Sequence, residues 1–141
     1  MLDVAMNGIQ RATLLLLTSA TIFSATACQG GRRLQLITVT PVSADAQDYP
    51  HSQVKFTATG IFNRAPLATT PLPVKWTSGI WLNSPPSPNV VIDANGAAHC
   101  SPGFAGAASV MAFAPMDPKT PLGSMGSRTR VVSGTAQLIC P

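Results

Sequence analysis

The sequence predicts an all-β domain, a β-sandwich of about seven short strands, preceded by an export signal. Three observations carry this. After Arg33, apolar residues alternate with polar ones in short bursts, the period of half-buried strands. Thirteen Pro and 11 Gly are spread through 141 residues without a period, so helices are interrupted and turns are frequent. Only 10% of residues are charged and none is Glu, which excludes a helical bundle or coiled coil built from Ala, Glu, Lys, Leu and Arg. Hydrophobic residues are 45%, enough for a core and too many for a disordered acidic tail.

Arg11 precedes an apolar stretch from Ala12 to Phe23, and the small residues Ser24 to Ala27 follow it. A bilayer-crossing helix takes about 20 apolar residues, and this stretch is shorter. Basic start, short apolar middle and small-residue end describe a secretory signal over residues 1–27. Asp3 cancels charge at the start, and Met6 offers an initiation site without an acid.

Ala25-Thr26-Ala27-Cys28 resembles a bacterial lipobox, in which the Cys is lipidated and becomes the first mature residue. Ala25 stands where that pattern usually has Leu. The competing reading is an ordinary secreted protein cut after Ala25 or Ala27. Residues 28–33 then form the lipidated Cys28 and a flexible tether, and 34–141 the sandwich. In Gram-negative lipoproteins an Asp after the Cys favours inner-membrane retention; Gln29 points to the outer membrane. Acyl chains hold by about 0.8 kcal/mol per buried CH₂. Setting Cys28 aside leaves Cys100 and Cys140, which an oxidising compartment would pair as a disulfide.

The strands follow in order. Leu34 to Thr40 is the first, with Leu34, Leu36 and Val39 as its apolar positions, and Pro41 ends it. Gln53 to Gly60 puts Val54, Phe56 and Ala58 on one face. Pro73 to Ser78 points Val74 and Trp76 inward and Lys75 and Thr77 outward. Asn89 to Ile92 and Ala97 to Cys100 flank the turn Asp93-Ala94-Asn95-Gly96, where Asn-Gly suits a hairpin. Ser109 to Ala114 and Arg130 to Cys140 complete the set, with Gly134 as a bulge position. Ala65 to Pro73 and Ser84 to Pro88 read as Pro-rich connecting loops. Short strands divided by turns argue a sandwich.

The order of these segments resembles the bacterial immunoglobulin-like domains of the BIG2 type. Ile37-Thr38-Val39-Thr40-Pro41 matches the opening strand, Val54 to Gly60 the second and Val74-Lys75-Trp76-Thr77-Ser78 the third. Val90 to Ile92, Gly103 to Gly106 and Ala108 to Ala112 correspond more loosely. The resemblance covers Leu34 to Pro115, with Val131 to Ile139 as the last strand. It departs in the longer loops Ile61 to Pro73 and Ile80 to Pro88. It implies an immunoglobulin-like fold and a spacer or adhesive role at a bacterial surface.

Chemistry-bearing groups are sparse. Nine Lys and Arg against five Asp give a net charge of +4, but the basic residues are scattered and give no nucleic-acid footprint. Arg32-Arg33 and Arg128-Thr129-Arg130 invite anionic lipid or polysaccharide, against plain solvated charge. Asp45, Asp48 and His51 read as a polar turn; a calcium loop needs more oxygen ligands. His99-Cys100 lacks metal-ligand spacing. Gly123-Ser124-Met125-Gly126 is no nucleophile elbow. Trp76 reads as core. Trp81, after Gly79-Ile80, reads either as an exposed stacking residue or as an edge Trp under the Pro-rich loop; Tyr49 raises the same question.

The expectation is therefore a non-enzymatic, cofactor-free, lipid-anchored domain of the cell envelope. Its partners are the membrane and either envelope proteins or surface polysaccharide. The alternatives are a carbohydrate- or protein-binding module using Trp81 and Tyr49, or an accessory subunit of an envelope complex.

Overall fold

A computed structural model describes residues 30–141. The expected signal and Cys28 lie outside the described residues. Gly31–Pro141 forms one compact unit that contains the hydrophobic core of the described residues. Its strands are β1 (Leu34–Thr40), β2 (Ser43–Asp45), β3 (Gln53–Lys55), β4 (Thr57–Phe62), β5 (Ala68–Thr69), β6 (Lys75–Thr77), β7 (Val90–Ile92), β8 (Ala97–Cys100), β9 (Gly106–Pro115) and β10 (Val131–Cys140). Three single 3₁₀ turns are the only helical segments among the described residues.

The ten strands fill seven strand positions and one addition. β1 and β2 are two halves of the first position, and β3 runs into β4 through Phe56 alone. β5 is a two-residue addition inside the first Pro-rich loop. One layer has the orders β1-β4-β5 and β3-β8-β7, continuous through the β3–β4 strand. The other has the order β2-β10-β9-β6. In strand positions this is first-second-fifth-fourth against seventh-sixth-third, the arrangement of an immunoglobulin-like sandwich. The half-strand β2 runs parallel to β10, whereas β1 runs antiparallel to β4. The chain therefore changes layer between Thr40 and Ser43.

Period-two patterning explains most of the core. Val54, Phe56 and Ala58 are buried in a row, as are Gly134, Ala136, Leu138 and Cys140 on β10. The first strand differs from expectation. Its register shifts between Leu34 and Leu36, so Leu34, Ile37 and Val39 point inward while Leu36 is 50% exposed. A bulge of this kind opposes two residues to one and reverses the faces beyond it.

Gly134 also differs from expectation. The β9–β10 register is unbroken from Val131 to Cys140, so there is no bulge there. Gly is required instead because β1 crosses it: a Cβ on Gly134 would stand 2.6 Å from the Ile37 carbonyl oxygen.

The sandwich has two ends. Gly106 pairs with Cys140 at one, and Pro115 with Val131 at the other. Nine residue steps of antiparallel strand separate them by about 30 Å. At the Cys140 end, Cys100 and Cys140 are joined by a disulfide with Cα atoms 5.8 Å apart, tying β8 of one layer to β10 of the other.

At the Arg130 end the start of the chain is fastened. The Arg32 guanidinium lies 3.4 Å from the Phe62 ring centroid. It donates to the Pro66 carbonyl at 2.6 Å and to Thr69 Oγ1 at 3.1 Å. The Arg33 N–H donates to Asn63 Oδ1 at 2.7 Å. Arg32 and Arg33, expected in the flexible tether, therefore belong to the folded unit.

Candidate functional site

The third strand position shapes the candidate site. β6 is an edge strand, paired only with β9, and only three residues long. Alternation assigns Trp76 inward, where it does pack against the core, and Thr77 outward, which the structure corrects. Thr77 and Ser78 are buried, and Trp76 is half-buried. The chain turns back over the end of β6. Thr77 Oγ1 accepts from the Gly79 N–H at 2.9 Å, and Ser78 Oγ donates to the Ser87 carbonyl at 3.4 Å. The two hydroxyls are thereby covered and satisfied, which is what burial of a polar group requires. Trp76 packs against the core from the open side between the layers. Its indole lies over the β7–β8 hairpin, where a Cβ on Gly96 would come within 2.8 Å of Cε2.

Beyond Gly79 the chain forms a braced tip. Ser84 Oγ accepts from the Trp81 N–H at 2.9 Å and donates to the Trp81 carbonyl at 2.8 Å. The Ser84 N–H donates to that carbonyl at 3.1 Å. Gly79 admits this return: a Cβ there would meet Ser84 Oγ at 2.4 Å and the Pro85 carbonyl at 2.8 Å. The backbone of the tip is fixed while its side chains are not covered. Ile80 is 75% and Trp81 72% exposed. Trp81 is thus the exposed aromatic of the two readings, not an edge Trp beneath the Pro-rich loop.

Beside the tip a groove of about 650 Å³ runs between β6 and β7, the free edges of the two layers. Its walls include Trp76, Leu82, Pro86, Pro88 and Val91. No charged residue occurs between Lys75 and Asp93, so the tip and most of the groove offer apolar and hydroxyl surface. Trp81 itself is not part of the groove wall.

Tyr49 lies between β2 and β3, at the Cys140 end, and is half-buried against the core. The register β6–β9 sends the chain beyond Thr77 toward that same end, since Thr77 pairs with Met111 and Lys75 with Phe113. Trp81 and Tyr49 therefore belong to one end of the sandwich, with Tyr49 committed to packing.

Most of the other polar candidates are placed in turns, and His99 on a strand. Asp45 Oδ1 accepts from the Gln47 N–H at 3.0 Å. His51 carries a left-handed backbone, φ 57°. His99 is exposed on β8, paired with Gln53. Ser124 closes a 3₁₀ turn by donating to the Pro121 carbonyl at 2.8 Å. Among the described residues no three His, Cys, Asp or Glu side chains gather as metal ligands would. Asp93 accepts from the Ala97 and Asn95 N–H groups at 2.9 and 2.8 Å. The Ala97 bond first, then the Asn95 bond and the Lys55 charge, outweigh desolvation and hold its carboxyl below its ordinary value.

Comparison with protein-family models and with curated proteins finds no match in either.

Proposed function

We propose that the protein is a non-enzymatic, lipid-anchored immunoglobulin-like domain of the bacterial cell envelope, related to the BIG2 type. Cys28 holds it at the membrane, most simply the outer membrane, and the sandwich presents its Cys140 end to a partner. One observation supports presentation above the others. Ile80 and Trp81 are left uncovered on a tip whose backbone is pinned. That tip stands at the opposite end from where the described chain begins. A rigid backbone carrying an exposed aromatic suits recognition, because little freedom is lost on binding.

Cell fractionation tests the anchoring. The wild-type chain is expected in the membrane fraction and a Cys28→Ser chain outside it; an unchanged distribution would remove the anchor.

The exposure of Trp81 also favours a second reading, a carbohydrate- or protein-binding module. A glycan array and membrane crosslinking, each run with wild type and Trp81→Ala, separate the two. Loss of a glycan signal assigns a sugar ligand. Loss of a crosslinked envelope protein assigns an accessory-subunit role. Identical profiles leave the spacer.

A further inference from the structure

Six of the eight basic residues within 30–141 are Arg32, Arg33, Arg64, Lys119, Arg128 and Arg130. The sequence scatters them, and the fold collects them. One row of backbone hydrogen bonds crosses the tips of β1, β4, β9 and β10. The Asn63 N–H donates to the Arg33 carbonyl at 3.1 Å, the Leu34 N–H to Met116 at 2.8 Å, and the Met116 N–H to Arg130 at 2.8 Å. Arg64 adjoins Asn63, and Arg128 precedes Arg130 by two. Lys119 shares a turn with Asp117, whose Oδ1 accepts the Lys119 N–H at 2.9 Å.

Against these six stand two of the four acids in this part of the chain, Asp117 in the same turn as Lys119 and Asp93 on the β7–β8 turn beside Leu122 and Met125; Asp45 and Asp48 lie toward the Cys140 end, near the close of β2. Arg32 is half-buried and the other five basic residues are exposed, and Leu67 beside them is 62% exposed. The sandwich is therefore charge-polarised along its long axis.

This end is also where the chain arrives from Cys28. Four residue steps separate Cys28 from Arg32, a reach of at most ~14 Å. Arg32 is clamped to Phe62, Pro66 and Thr69, so no further slack exists on the domain side.

We propose that the Arg130 end is a docking surface for anionic phospholipid headgroups. Resting on the lipid-anchor reading, it would seat the domain end-on against the bilayer that holds Cys28. A cluster of Lys and Arg is attracted to anionic lipid within a Debye length, about 8 Å at physiological salt. An exposed Leu among them adds apolar contact at the headgroup boundary. The end-on pose directs the Trp81 tip away from the membrane, about 30 Å out along the strands. The basic patch then adds an electrostatic contact with the headgroups to the hold of the acyl chains.

The test uses residues 31–141, which carry the core and the disulfide, and so needs no acyl group. Vesicles of phosphatidylcholine alone and of phosphatidylcholine mixed with phosphatidylglycerol are sedimented with the domain. Binding is expected to the anionic vesicles only, and to vanish at high salt. The triple variant Arg33→Gln, Lys119→Gln, Arg128→Gln should bind roughly a hundredfold more weakly, about fivefold per charge. Lys55→Gln with Lys75→Gln should bind as wild type does, both variants keeping the wild-type circular dichroism. Equal binding to both vesicles, no binding to either, or an unaffected triple variant would overturn the proposal. So would binding to a soluble anionic polysaccharide without binding to vesicles. Acylation of Cys28 is read separately by mass, so vesicle binding with an unmodified Cys28 upholds the docking and removes the anchor.

Discussion

Gly134 passes under Ile37 so closely that a Cβ would stand 2.6 Å from the Ile37 carbonyl oxygen and 2.7 Å from its Cγ2. This contact joins β10 of one layer to β1 of the other, and the obstructing atom is backbone. Gly134→Ala must therefore push the two strands apart. A loss of about 1–3 kcal/mol is expected, the range for an overpacked core. Thermal denaturation checks it: the midpoint should fall by several degrees, whereas Ser133→Ala, exposed on the same strand, should leave it in place.

The turn between β7 and β8 depends on Asp93. Its carboxylate accepts from the Ala97 and Asn95 N–H groups and faces Lys55, whose Nζ also donates to the Asn95 carbonyl. Its native pKa lies below the ordinary 3.8. A lowered pKa contributes stability that is present above the unfolded value and lost as pH falls toward the native one. Wild type should melt above Asp93→Asn at neutral pH, and the gap should close as the pH is taken below the ordinary carboxylate range. A gap that does not change with pH would contradict this.

The disulfide ties the two layers at the Cys140 end across a sequence separation of 40. Loop entropy assigns such a crosslink roughly 4 kcal/mol. Cys100→Ser with Cys140→Ser should lower the denaturant midpoint by a comparable free energy. Intact mass of the protein purified without reductant should lie two hydrogens below that of its reduced form. Two free thiols would contradict the pairing.

Arg32 covers Phe62 and donates to Pro66 and Thr69. Arg32→Ala should cost about 1–2 kcal/mol from the lost stacking and charge-assisted hydrogen bonds. Arg32→Lys should not restore it fully, since an ammonium lacks the planar face and the fork. Equal stability of Arg32→Lys and wild type would show that charge alone holds the chain there.

Where a strand is long or central, its pattern could be read directly: Val54, Phe56 and Ala58 fall on the buried face as alternation requires. Alternation failed at two kinds of place. On β1 the register shift exchanged Leu36 for Ile37, and nothing in Leu34 to Thr40 marks the extra residue. At the edge strand β6, burial of Thr77 comes from the loop that folds over it, a tertiary event that alternation does not encode. Trp81, after Gly79-Ile80 and before a Pro-rich loop, could be read as exposed or as covered, and what decides between them is the tip that the Ser84 brace shapes. Of the basic end, Arg32-Arg33 and Arg128-Thr129-Arg130 could be read only as two separate groups. Arg33, Lys119 and Arg128 come to one end of the sandwich only through the bonds that join the tips of the first, second, sixth and seventh strand positions.

The proposed membrane attachment at Cys28 is tested most directly on the N-terminal peptide of the protein isolated from its native cells. Mass spectrometry is predicted to find Cys28 as the first residue, carrying a diacylglyceryl group through its sulfur. An unmodified Cys28, or a mature chain beginning at any other residue, would contradict the account.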